Sequence, residues 1–203
     1  MRGSFEDAYQ LFTNYFTEVR LVDPDLVFDI QTTSYKDRRF IRCFWYFGTP
    51  IKAYKLLRPV VVIDKTFLKG RYRGSLLTTI TIDPNNYIFL LAFSVIESET
   101  IESWTYFLEM LRSNFYSFDT IFIVISDKNP EIINAIPKVF LFTVHTFCAF
   151  HILSNIKTTI ESTMIAFRMI VEALTSIDFN KHMNPIQNTD LVGLQILGIL
   201  KET

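Results

Sequence analysis

Apolar and polar positions follow two different periods along the chain, and this predicts a succession of helices and strands. Apolar residues recur at helical spacing over residues 5–21. Two strand-like runs follow at 26–32 and 40–47, and the polar segment between them suits a hairpin. Thr49, with a proline directly after it, then predicts the start of a short helix over 49–57.

The middle of the chain alternates strands and helices in a way that is typical of an α/β fold. Three strand-like runs come first, at residues 60–64, 75–82 and 87–96. A helical run at 101–115, a further apolar strand at 120–126 and a second helical run at 130–139 follow. The turn-forming residues at 83–86 predict antiparallel pairing of the second and third strands. The helix at 101–115 can serve as a crossover, so we expect the strand at 120–126 to lie parallel to the strand at 60–64.

Two aspartates directly follow buried strands. Asp64 comes after the apolar run at 60–63, and Asp127 after the run that ends at residue 126. If these strands are neighbours, their carboxyl ends meet in the crevice where open α/β sheets bind ligands. Two carboxylates are the minimum needed to hold Mg²⁺ or Mn²⁺, and paired ions of this kind catalyse phosphodiester cleavage. Spacing alone favours the simpler alternative, in which both aspartates cap a strand end or a turn.

Composition narrows the class of protein. The 203 residues are 49% apolar and include 20 phenylalanines, so we expect a folded chain with some surface that meets another domain or chain. The longest apolar run, at 87–96, is too short for a membrane helix, and the N-terminal residues do not resemble a secretory signal. Together these features predict an intracellular protein.

Two cysteines in different contexts predict free thiols. The net charge of −1 neither requires nor excludes a nucleic-acid partner.

Four motifs occur in order along the chain. They lie in the stretches VVVIDKTFLKGRYRG, SVIESETIESWTYFL, IFIVISDKNP and HTFCAFH. The first contains an aspartate before Thr-Phe-Leu-Lys-Gly, the second Glu-Ser-Glu before a tryptophan, the third Ile-Ser-Asp and the fourth Cys-x-x-His. With these motifs at these intervals, nearly the whole chain resembles the transposase domain of Mutator-like elements (MULE) of plants.

The resemblance implies a fold and a chemistry. That family is similar to retroviral integrases and has an RNase H-like core, in which two aspartates and a later glutamate bind the catalytic metal ions. Carried onto this sequence, Asp64 is the first ligand of Mg²⁺ or Mn²⁺ and Asp127 the second. The implied reaction is metal-dependent DNA cleavage and strand transfer in the nucleus, with DNA as the partner.

The sequence departs from the family pattern in two places. Lys65 stands where the family usually has glycine, and its ammonium group could either contact phosphate or compete with the metal. The family's third acid lies in a glutamate-serine-x-asparagine context, and the chain ends at Thr203 before such a motif. Four later acids, expected on solvated helix faces, are Glu161, Glu172, Asp178 and Asp190. We therefore expect a truncated domain that is inactive alone.

Cys148, His151 and the nearby His145 form a small group of metal-ligand types. Structural zinc sites use about four such ligands, and this group offers three at most, so we do not expect a zinc site. The family carries the Cys-x-x-His motif between its second and third acids. We expect a structural role, or a supporting contact near the metal site.

Basic residues follow the first aspartate. They are Lys65, Lys69, Arg71 and Arg73. On a turn beside the metal site these side chains would neutralise DNA phosphates, although an ordinary solvated turn explains them equally well. Trp104 is expected to pack its helix against the core, with an aromatic platform as the alternative role.

Together these patterns predict an α/β chain in three parts. Residues 1–58 are an N-terminal extension of a helix and a hairpin, 59–151 are the RNase H-like catalytic core with its mixed sheet, and 152–203 begin a helical insertion. The segment 141–144 fits a strand or a helix. The alternative function is a transposon-derived regulatory or interaction protein that associates with DNA or chromatin without catalysis. A second copy of the chain, or a missing C-terminal part, stays open as a further partner.

Overall fold

The computed structural model describes residues 5–33, 39–69, 73–116, 121–155 and 161–189. These residues contain seven strands, arranged as one mixed sheet in the order β1-β2-β5-β4-β3-β6-β7. The strands are β1 (Val27–Thr32), β2 (Phe40–Tyr46), β3 (Val60–Leu68), β4 (Gly74–Ile82), β5 (Ile88–Ile96), β6 (Ile123–Ser126) and β7 (Val144–Phe147). The predicted α/β class with a mixed sheet is confirmed. The segment 141–144, for which the sequence fits a strand or a helix, leads into β7.

Seven α-helices lie in the described residues. They are α1 (Phe5–Val22), α2 (Gly48–Ala53), α3 (Ile101–Phe115), α4 (Pro130–Val139), α5 (Ala149–Asn155), α6 (Glu161–Val171) and α7 (Ser176–Thr189), and a 3₁₀ turn (Tyr54–Leu56) follows α2. The chain divides into two compact units, residues 1–146 and 147–203. The first contains α1 to α4 and nearly all of the sheet, and the second contains α5 to α7. None of the described helices is long and apolar enough to cross a bilayer.

The predicted strand pairings agree with the structure. β3, β4 and β5 pair antiparallel in series, and β6 lies parallel to β3 after the crossover through α3. β1 and β2 form the predicted hairpin, and β2 extends the sheet by pairing antiparallel with β5. The N-terminal extension therefore contributes two strands to the same sheet as the core.

Helices α3 and α4 supply much of the main hydrophobic core. The cluster joins buried side chains of these helices to those of the central strands, among them Trp104, Phe107, Leu108, Leu111, Ile132, Ile136, Val61, Ile63 and Leu77. Trp104 is only 2% exposed, which confirms its expected place in the core. Because α3 and α4 are fixed by this packing, the loops that precede them are held at one end of the sheet.

Two details of the chain differ from the sequence predictions. The strand that was expected to end at Asp64 continues to Leu68, because β4 supplies backbone partners along its whole length. The short helix begins at Gly48 with Phe47 as its N-cap, so Thr49 is not the cap. Its first backbone amide is instead satisfied by Asp23, whose Oδ2 accepts a hydrogen bond of 2.8 Å from Gly48 N.

Candidate functional site

The register between β3 and β6 brings the two aspartates level. Val60 pairs with Ile123 and Val62 with Ile125, a constant difference of 63 residues. Continued by two residues, the same register places Asp64 opposite Asp127, one residue after β6 ends. Asp64 thus lies two residues beyond the last parallel pair, Val62 with Ile125, although it is still inside β3.

The two aspartates have different surroundings. Asp64 is exposed and lies opposite Thr78 of β4, whose Oγ1 donates a hydrogen bond of 3.4 Å to the Asp64 carbonyl oxygen. Asp127 is half-buried, and its Oδ1 accepts a hydrogen bond of 3.2 Å from Asn129 N. Asp64 is therefore reached by solvent, whereas the Asp127 carboxylate is held by the loop that leads into α4.

Ser126 and His145 support this loop. Ser126 Oγ donates to the Asp127 carbonyl oxygen at 2.8 Å, and it lies 2.8 Å from His145 Nε2. Burial lowers the pKa of His145, which favours its neutral form. His145 therefore contacts the strand end that carries Asp127, at the edge where β7 joins the sheet.

The other two residues of the Cys/His group belong to the second compact unit. The Cys148 carbonyl oxygen accepts from Ile152 N at 3.0 Å at the start of α5, and the His151 carbonyl oxygen accepts from Ser154 Oγ at 3.0 Å. Across the described ranges, no three His, Cys, Asp or Glu side chains come together in a group that could hold a metal ion. The role expected for this group stays a prediction.

Glu99, in the short connection between β5 and α3, is the centre of a polar network that the sequence analysis did not single out. Its Oε2 lies 2.8 Å from Lys65 Nζ and accepts a hydrogen bond of 2.8 Å from Asn129 Nδ2. Its Oε1 accepts from Ser75 Oγ at 3.2 Å. The Lys65 and Glu99 side chains are only 15% and 16% exposed, so this ion pair is largely removed from solvent.

The network links residues that flank both aspartates. Lys65 follows Asp64 directly, and Asn129 lies two residues after Asp127. Asn129 is also the N-cap of α4, because its Oδ1 accepts from Glu131 N at 2.8 Å and from Ile132 N at 3.4 Å. Glu99 thus connects β3, which carries Asp64, to the β6–α4 loop, which carries Asp127.

The basic residues occupy two kinds of position. Lys65 lies within β3 and not on a turn, and it is paired with Glu99. Lys69 and Arg73 line an open cavity of about 720 Å³ beyond the network, and Arg71 lies outside the described residues. Their contact with DNA phosphates stays a prediction.

The four later acids belong to the second compact unit, residues 147–203. Glu172 and Asp178 are exposed, and Asp178 Oδ2 accepts a hydrogen bond of 2.6 Å from Thr175 Oγ1 at the start of α7. The Glu161 side chain and Asp190 lie outside the described part of the chain.

Comparison with known proteins gives one family match. Residues 60–155 match the sequence model of the MULE transposase domain, and no curated protein matches the chain. The matched segment begins at β3 and ends with α5, so it contains both aspartates, Glu99 and the Cys/His group. The chain is therefore similar to a MULE transposase domain over the segment that forms the site.

Proposed function

We propose that the chain is a transposase-related domain that acts on DNA, with Asp64 and Asp127 as its metal ligands. The observation that carries this proposal is the coincidence of two independent results. The β3–β6 register brings the two aspartates level, and the segment that contains both strands is the one that matches the MULE transposase domain.

The sheet topology supports an RNase H-like core for this domain. Three antiparallel strands in series are followed by a crossover helix and a strand parallel to the first of them. In open sheets of this kind, ligands bind at the carboxyl ends of parallel strands. Asp64 and Asp127 each follow the parallel-paired part of β3 and β6 by two residues, which supports a ligand site there.

The donor set suits a hard divalent cation. Two carboxylates with exposed space beside one of them can bind Mg²⁺ or Mn²⁺, and water and substrate phosphate would complete the coordination. Such an ion lowers the activation free energy of phosphodiester cleavage, because it stabilises the charge that develops on the reacting oxygens. Asn129 N orients the Asp127 carboxylate, and Glu99 neutralises the Lys65 ammonium, which would otherwise repel a cation next to Asp64.

We further propose that this chain cleaves DNA slowly or not at all. The resemblance implies three catalytic acids, and it assigns two of them, Asp64 and Asp127, to this chain. DNA binding depends on lysine and arginine side chains that neutralise phosphates and not on the two aspartates. Binding should therefore persist without cleavage. A plant source and a nuclear location follow from the resemblance and belong to the same proposal.

A plasmid assay tests this function. The chain is incubated with Mn²⁺ and supercoiled plasmid, and binding and nicking are measured separately for the wild type, Asp64→Asn and Asp178→Asn. Asp178 is the matched control because it is an exposed aspartate in the other compact unit. We expect all three proteins to bind the plasmid, with little nicking.

The outcomes separate the parts of the proposal. Robust nicking that disappears only in Asp64→Asn would overturn the predicted inactivity and support the metal site. Failure of the folded wild type to bind DNA would contradict a function on DNA. Binding without nicking, unchanged in Asp64→Asn, is also what a non-catalytic regulatory protein would show, so metal binding must be measured directly.

A further inference from the structure

An open cavity whose lining includes neither Asp64 nor Asp127 has no role in the proposed metal chemistry. Its volume is about 720 Å³, and it is formed where the β3–β4 end of the sheet meets the connection between β5 and α3. The residues that matter for its chemistry are Phe67, Lys69, Arg73 and Glu99. Pockets that bind small ligands have volumes in this range, whereas a DNA duplex is far too wide to enter.

An exposed aromatic ring forms one wall of the cavity. Phe67 is 70% exposed, although it lies within β3 and only three residues after Asp64. Lys65 Nζ lies 4.8 Å from the centroid of the ring. Because Lys65 is itself held by Glu99, the polar network that flanks the aspartates also restrains the position of this ring.

The charge of the cavity favours an anionic ligand. Its two acids are both compensated, because Glu99 pairs with Lys65 at 2.8 Å and Glu97 pairs with Arg39 at 2.9 Å. Within the described residues, Lys69 and Arg73 pair with no acid. The cavity therefore combines an exposed aromatic ring with two cations that pair with no acid in the described part of the chain.

We propose that this cavity binds unpaired nucleotides of a DNA strand, with a base stacked on Phe67 and the backbone phosphates near Lys69 and Arg73. Single-stranded nucleic acids are bound in this way, by aromatic platforms within basic grooves. This inference rests on the proposed function only in taking DNA as the partner. It adds that the DNA strand is unpaired where it passes this cavity.

The test compares single-stranded and duplex binding. Anisotropy of fluorescein-labelled oligothymidine about 16 nucleotides long, and of a labelled duplex, is measured for the wild type, Phe67→Ala, Phe67→Trp and Tyr87→Ala. Tyr87 is the matched control, because it is 71% exposed and lies next to the β4–β5 turn at the opposite end of the sheet. Circular dichroism checks that each variant is folded.

We expect Phe67→Ala to weaken oligothymidine binding roughly tenfold, because one stacked base is lost. Binding of the duplex should change little, Phe67→Trp should bind as well as the wild type, and Tyr87→Ala should have no effect. Unchanged oligothymidine affinity in Phe67→Ala, or an equal loss in Tyr87→Ala, would overturn the inference.

A second variant tests the proposed contact between Lys69 and a DNA phosphate. Lys69→Gln should reduce the slope of log affinity against log salt concentration by about 0.7 for the oligothymidine, the value for one lost phosphate contact on a single strand. An unchanged slope would contradict a phosphate contact at Lys69. If the wild type binds the duplex while Phe67→Ala and Lys69→Gln leave oligothymidine binding unchanged, the inference fails and the proposed function stands. If the wild type binds neither probe, both fail.

Discussion

Glu99 and Asn129 are joined by a hydrogen bond of 2.8 Å from Asn129 Nδ2 to Glu99 Oε2. This bond joins the connection between β5 and α3 to the loop that follows β6, and the same oxygen of Glu99 lies 2.8 Å from Lys65 Nζ on β3. Three segments that are far apart in the sequence therefore meet at one carboxylate. Since two of them carry the aspartates, the stability of this network determines how firmly the aspartate pair is held.

Removing the charge of Glu99 should destabilise the fold. In Glu99→Gln the Lys65 ammonium, at 15% exposure, loses its anionic partner, and we expect the free energy of unfolding to fall by about 2 kcal/mol. Urea denaturation measures this. Glu97→Gln is the control, because Arg39 and Glu97 are 63% and 40% exposed in their pair, and its loss should cost at most about 0.5 kcal/mol. Equal effects of the two variants would show that the network contributes no more than a surface ion pair.

Asn129 should contribute in two separable ways. Asn129→Ala removes both the N-cap of α4 and the hydrogen bond to Glu99. Asn129→Ser retains a capping oxygen and loses only the hydrogen bond to Glu99. We expect Asn129→Ala to lower the free energy of unfolding by about 2 kcal/mol and Asn129→Ser by about 1 kcal/mol. Thermal or urea unfolding of both variants checks this, and identical losses would mean that the cap is unimportant.

The two thiols should differ in reactivity. Cys43 is fully buried, and burial raises the pKa of its thiol to about 12, whereas Cys148 is half-buried. Because the thiolate is the reactive form, raising the pH from about 7 to about 9 should leave Cys43 of the folded protein unlabelled by iodoacetamide. Cys148 should be labelled first, and Cys43 only after unfolding in urea. Mass spectrometry of the labelled peptides decides this, and fast labelling of native Cys43 would contradict the packing of β2.

The sequence was sufficient to predict those parts of the fold that depend on local patterns. The helical spacing around Trp104 predicted α3, and the crossover argument predicted the parallel pairing of β3 with β6, because right-handed crossovers leave few alternatives. The end of β3 was misplaced, since the charge of Asp64 suggested an end to the strand. Antiparallel pairing with β4 continues to Leu68 regardless of that charge.

The polar network around Glu99 could not be predicted in the same way. Its members come from four separate segments, and in the sequence Glu99 is only the second acid of a Glu-Ser-Glu motif. A glutamate one residue before Thr100, the N-cap of α3, is typical of an exposed connection. Only the tertiary fold brings Lys65, Ser75 and Asn129 to its carboxylate.

Direct measurement of Mn²⁺ binding tests the central claim, that Asp64 and Asp127 form one metal site. Calorimetric titration of the wild type, Asp64→Asn, Asp127→Asn and the control Asp178→Asn would compare the four proteins under one set of conditions, with urea unfolding to confirm that each is folded. We predict that the wild type and Asp178→Asn bind Mn²⁺ alike, and that each of the other two variants binds at least about tenfold more weakly. Equal Mn²⁺ affinity in all four folded proteins, or no binding by the wild type, would contradict the account.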